Sequence, residues 1–182
     1  MPDELLVRFC APTLASLKTG SLFSCEDHAQ VALYDWLRSL NRRLGGKGLR
    51  VLPLRYRQGR CLVYVYRPSL LRRDLAEAGA VRILRARGYP CGADERCLLH
   101  LMALLRGGGP FPHEIGLFLG YPPEDVDGFM HRRGEAKLTG CWKVYGDPDR
   151  ARQRFDRYQR CTRLYLEQFS RGRDIVQLTV PR

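Results

Sequence analysis

The sequence has no apolar run approaching the ~20 residues that a membrane-spanning helix needs, so no membrane span is expected. It has no Cys-x-x-Cys pair. Its seven cysteines, Cys10, Cys25, Cys61, Cys91, Cys97, Cys141 and Cys161, are odd in number and irregularly spaced. That spacing argues against a disulfide framework and against a structural zinc site, and it points to reduced, mostly buried thiols with no bound metal. Repeats, linkers and low-complexity tracts are missing too, which leaves 182 residues for one domain with a sizeable core. The N-terminal MPDELLVRFCAP is acidic before it is apolar, unlike a secretory signal, and a cytoplasmic location is expected from it.

The most informative absence is of acid. Between Trp36 and Arg73 there is no Asp or Glu, while eleven cationic residues fall in the same window, ten of them Arg. They account for nearly all of the net charge of +12. Such a block is expected to sit in water or to meet an anion, and the planar guanidinium suits phosphate and carboxylate. Arg38, Arg42, Arg43, Arg55, Arg57 and Arg60 are the candidates for an anion-binding or nucleic-acid surface.

What is present reads as a mixture of elements. Leu5–Cys10 is expected to be a strand, followed by a short helix opened by Pro12, a KTGSLF loop, and a helix capped by Ser24 and beginning near Cys25. LRVLPLRYR and RCLVYVYR flank Gln58-Gly59 as a hairpin, with Leu52, Leu54 and Tyr56 sharing one face. Pro53 cannot donate to a ladder, so the first of these strands belongs at an edge or bulge. Pro68 opens a helical stretch interrupted near Gly79, ADERCLLHLMALLR is a further helix, CWKVYG a short strand, and Asp147-Pro148 a capped helix start. The whole is an α+β plan, a small and mostly antiparallel sheet covered by several helices.

Four motifs bear on chemistry. EIGLFLGYPPEDVDGFMHRRG has the shape of a helix-turn-helix, but Glu124, Asp125 and Asp127 would meet phosphates with the wrong sign; they suit a helix N-terminus instead. His113-Glu114 lacks the second histidine of a zincin, since Leu117 stands there, and so reads either as an acid/base pair or as ordinary helix-start residues. Lys18, Thr19, Gly20 and Ser21 could offer an ammonium, hydroxyls and amides to an anion, or form a plain capped turn. The Arg/Tyr hairpin suits stacking on bases, and equally a packed sheet with solvated arginines.

RFCAPTLASLKTGSLF, FPHEIGLFLGYPPEDVDGF, GCWKVYGD and RCTRLYLEQFSRGRDIVQLTV together resemble domain-of-unknown-function family 3793, a bacterial family, over nearly the whole chain. The resemblance implies one intact domain and brings no established activity, leaving room for a flavin-, haem- or other cofactor-related role. If its motifs converge, the cleft holds Thr13, Lys18, Ser21, His113, Glu114, Tyr121, Trp142, Lys143 and Tyr145. The expected roles are charge neutralisation by Lys18 and Lys143, proton transfer or hydrogen bonding by His113 and Glu114, and stacking by Tyr121 or Trp142. The functional expectation is binding of, or action on, an anionic small molecule or cofactor: a flavin, haem or a phosphorylated metabolite. The alternative is nucleic-acid binding through the 36–73 region.

Overall fold

β3 (Arg60–Tyr66) is apolar on both faces, which is the pattern of a central strand. In the computed structural model, which describes residues 2–26, 30–90, 92, 94–132 and 134–181, it lies between β1 (Gly20–Glu26) and β2 (Arg50–Arg57), antiparallel to both. Leu62, Tyr64 and Tyr66 of β3 face one core, and Cys61, Val63 and Val65 face the other.

The second face is covered by α1 (Pro2–Leu14), α2 (Gln30–Leu44), part of α8 (Pro148–Ser170) and α9 (Ile175–Leu178). The first is covered by α3 (Pro68–Leu75), α4 (Ala78–Ala86), α5 (Asp94–Arg106), α6 (Ile115–Phe118) and α7 (Pro123–Met130). A third cluster packs Trp142 and Val144, beside the two-residue strands β4 (Leu138–Thr139) and β5 (Lys143–Val144), against Ala151, Phe155 and Tyr158 of α8. The α+β plan expected from the sequence is the one observed.

Two local expectations are corrected. Leu5–Cys10 is part of α1, because Leu6, Val7, Cys10, Ala11 and Leu14 recur at helical spacing and are all fully buried, and Asp3 and Glu4 occupy the favourable first turn. Pro12 sits inside that helix, not at the start of another. The KTGSLF loop and the helix from Cys25 are replaced by β1, whose side chains alternate, Leu22 toward one core and Phe23 and Cys25 toward the other. Ser24 is therefore a strand residue, and the helix begins at Gln30.

The hairpin stands as expected, with Pro53 on an edge strand and the register shifting between Pro53 and Arg55. The same bulge corrects one detail. It turns Tyr56 away from Leu52 and Leu54 and onto the α2 side, where its ring lies 5.7 Å from that of Tyr34.

The acid-free block also holds a cation that is buried inside the fold. Arg67 is fully buried, and its guanidinium donates to the carbonyls of Thr13 (2.7 Å), Leu14 (2.6 Å), Val180 (2.8 Å) and Lys47 (3.2 Å). Lys47 in turn donates to Val176 (2.5 Å) and Thr179 (2.9 Å). These two residues tie the end of α1 and the C-terminal segment to the sheet, because buried carbonyls need donors wherever the chain runs irregularly.

Candidate functional site

The end of α1, the start of β1, the C-terminal half of α3, the α6–α7 turn and the first turns of α8 surround one cleft of about 350 Å³. Its floor is built by local chemistry. Asp74 accepts the hydroxyl of Thr19 and the Arg73 guanidinium at 3.0 and 2.8 Å, which fixes α3 to the start of β1. Gly120 closes the α6–α7 turn at φ +77°, and a Cβ there would lie 2.7 Å from Thr19 Oγ1 and 3.2 Å from Asp74 Oδ2. Gly120→Ala is therefore expected to destabilise the fold by roughly 2–3 kcal/mol, combining left-handed strain with overpacking, as a fall in the urea midpoint with unchanged slope.

The wall contributed by α8 carries Arg150, Arg154 and Arg157, one turn apart in succession. Tyr158 beside them is buried, with its hydroxyl donating to Leu17 at 3.4 Å. The three guanidiniums have no hydrogen bond or ion pair among the described residues, whereas the neighbouring Arg152 pairs with Asp149 at 2.8 Å. Lys18 lines the same cleft, half-buried, its ammonium donating to Gly20 at 2.5 Å and lying 5.3 Å above the Tyr121 ring. The cleft is lined by five cations and three carboxylates, those of Asp74, Glu77 and Glu124, and Asp74 is already committed to Arg73 and Thr19.

Burial pushes the Lys18 amine down from 10.5 to about 8, an effect opposed by the thiols Cys10 and Cys141. Burial likewise pushes the Cys10 thiol up from 9.0 to about 12 and Cys161 to about 11. The sign of the resulting pH dependence follows from proton counts. Between pH 8 and 9 the unfolded chain holds its Lys18 proton and the folded chain is losing it, so Lys18 makes stability rise with pH. Above pH 9 the unfolded thiols of Cys10 and Cys161 ionise while the folded ones do not, which lowers stability. In Lys18→Met, chemical denaturation should show the pH 8–9 increment reduced.

Beyond the Tyr121 ring lies a second pocket, of about 230 Å³, lined by His113, Phe129, Trp142 and Lys143 among others. Tyr121 stacks on Trp142 (4.6 Å between centroids), and Trp142 meets Phe155 edge-on at 4.5 Å. The indole donates to buried Asp125 at 2.7 Å, and the other oxygen of that carboxylate accepts the amides of Tyr145 and Gly146 at 2.7 and 2.8 Å. Asp125 is thus more than a favourable charge at a helix start, since it fastens α7 to β5. The following Gly128 has the Tyr145 ring against it: a Cβ would come within 2.5 Å.

The structure brings together some of the expected site residues and separates others. Lys18 and Tyr121 line the cleft, and Tyr121 is shared with the pocket of His113, Trp142 and Lys143. Lys18, His113 and Trp142 do not line one cavity, because the Tyr121 ring stands between them. His113 and Glu114 part company at the entry to α6. His113 is exposed against Phe111 and Phe129, whereas Glu114 is buried and accepts the Tyr89 hydroxyl at 3.0 Å. They therefore do not form a joint acid/base pair in this structure. Thr13 and Ser21 are buried and share a hydrogen bond of 2.9 Å, and Ser21 also borders a groove with Lys18 between α1 and α8.

The Arg-rich window is spread over different faces. Arg38 pairs with Asp35 at 3.8 Å, Arg43 with Asp3 at 3.4 Å, and Arg60 with Glu26 at 3.3 Å. Arg42 and Arg57 are exposed on α2 and β2, and Arg55 is half-buried. The helix-turn-helix reading meets a four-residue α6, too short to support a recognition helix.

Arg150, Arg154 and Arg157 did not stand out in the sequence, because they flank the apolar stripe of α8 and lie outside the acid-free window. Their spacing of four and three residues beside Tyr158 was the available signal. Among the described residues no group of three or more His, Cys, Asp or Glu is placed to hold a metal ion, and no helix is long and apolar enough to cross a membrane. A family model described as protein of unknown function (DUF3793) matches residues 6–179. No curated protein and no solved structure matches the chain.

Proposed function

Since the chain belongs to the DUF3793 family, which carries no assigned activity, the cleft itself has to supply the reading, and we propose that it binds a small anionic molecule, best a phosphorylated metabolite, between Lys18 and the arginine face of α8. The single observation that carries this is the set of three guanidiniums on α8 that line the cleft without a carboxylate partner among the described residues. Such forks match phosphate oxygens in geometry and charge, and a partly buried site strengthens the pairing. A volume of about 350 Å³ lies at the small end of ligand cavities, which favours a small metabolite over haem or a flavin. Tyr121 and Trp142 are stacked on one another, so they favour a supporting role over sandwiching a flat cofactor.

A thermal-shift screen with phosphorylated metabolites, nucleotides, flavin mononucleotide, haem and inorganic phosphate tests this. A true ligand raises stability by about 2.7 kcal/mol at a hundredfold excess over its Kd. The shift should be blunted in Lys18→Met. If no phosphorylated compound shifts the transition, or if the shift is unchanged in both Lys18→Met and Arg154→Gln, the reading falls. Mixed oligonucleotides serve as the contrast. Retention that falls steeply with salt and survives Arg154→Gln would favour nucleic-acid binding through Arg42, Arg55 and Arg57 instead.

A further inference from the structure

We propose that Lys18 is a nucleophilic amine that forms an imine with the carbonyl carbon of a small phosphorylated aldehyde or ketone held by the arginines of α8. The inference rests on the anion-binding reading of the same cleft and narrows it to a substrate class.

The placement of the amine carries the argument. An ammonium offers three donors, and that of Lys18 has one acceptor among the described residues, Gly20 O at 2.5 Å. It is half-buried above an aromatic face and lines the same cleft as Arg150, Arg154 and Arg157. A substrate whose phosphate reaches the guanidiniums brings the rest of its length toward this amine. An ordinary amine would be almost wholly protonated near neutrality; at the value of about 8 that burial imposes, about a tenth is free at pH 7.

The other lysines offer a contrast within the same molecule. The chain has four, and Lys47 is tied to two carbonyls, Lys137 is exposed and donates to Gly146 at 2.9 Å, and Lys143 is exposed with its amine 5.8 Å from the centre of the Phe129 ring. None of those three lines the arginine cleft.

The step balances without a redox partner. The neutral amine adds to the carbonyl carbon, a C–N bond forms, and the carbonyl oxygen takes up a proton from nitrogen. That oxygen then leaves as water with the second nitrogen proton, and a C=N bond remains. One amine and one carbonyl give one imine and one water.

Pyridoxal 5′-phosphate is a suitable probe, used at equimolar concentration with the intact protein, trapped with borohydride, which reduces the imine to a stable secondary amine, and mapped by peptide mass. The adduct is expected on Lys18 at least tenfold above Lys47, Lys137 and Lys143. It should fall about tenfold with pyridoxal, which lacks the phosphate, and in Arg154→Gln. Lys18→Arg, which keeps the charge, should retain part of the thermal shift given by pyridoxine 5′-phosphate, which has no carbonyl, and lose the adduct entirely. Label spread evenly over the exposed lysines overturns the proposal. An unmodified Lys18 in a protein still stabilised by pyridoxine 5′-phosphate overturns the imine and leaves anion binding standing. No response to either compound overturns both.

Discussion

Arg67→Met should cost the fold roughly 3–5 kcal/mol, the largest effect expected from any single side chain described above. The methionine fills much of the volume and supplies no donor. Four carbonyls from three separated segments then lose this donor at once, Thr13 and Leu14 in buried bonds and Lys47 and Val180 in part-buried ones. Each buried, unsatisfied group costs about 1–3 kcal/mol, partly relieved where water enters. Arg67→Lys should recover only part of the loss, because three donors on one nitrogen cannot reproduce the spread of a guanidinium. Urea denaturation measures both. A loss under 1 kcal/mol for the methionine variant would mean that the carbonyl latch is not what holds the C-terminal segment.

The second large effect is on binding. Replacing Arg154 and Arg157 together by Gln should weaken a phosphorylated ligand at least a hundredfold, since each charge-assisted hydrogen bond contributes about 1.5–3 kcal/mol and each 1.4 kcal/mol is tenfold. The fold should change by no more than about 0.5 kcal/mol, because Arg157 is exposed, Arg154 is half-buried, and neither has a partner to lose among the described residues. Isothermal titration beside urea denaturation separates the two quantities. Equal losses of stability and affinity would assign these arginines a structural role.

The hairpin, its bulge and the capped start of α8 were legible in the sequence because each depends on neighbours in the chain. Alternation sets the faces of β3, Pro53 lacks a donor, and the Asp147 side chain accepts the amides of Asp149 and Arg150 at 3.0 and 3.1 Å. The first 26 residues carry conflicting signals. LLVRFC is apolar enough for a strand, and only its burial at helical spacing identifies α1. The cleft was half legible. Lys18 and Tyr121 sit in conspicuous motifs, but α8 arrives from the far end of the sequence, and nothing local ties Arg154 to Lys18. The Arg-rich window misled in the opposite way. Its charges are consecutive in sequence and separate in space, and Arg67 among them serves carbonyls in the core. Glu114 shows a further limit. Its neighbour His113 suggested a chemical pair, and the chain direction at the entry to α6 sends one side chain out and the other into the core toward Tyr89.

Anomalous diffraction from crystals grown with tungstate, a phosphate-like oxyanion with a heavy scatterer, tests the central claim most directly. The account predicts a peak in the cleft within hydrogen-bonding distance of guanidinium groups from α8, on the side facing Lys18. Peaks confined to the exposed arginines of α2 and the hairpin, with an empty cleft at millimolar tungstate, would contradict it.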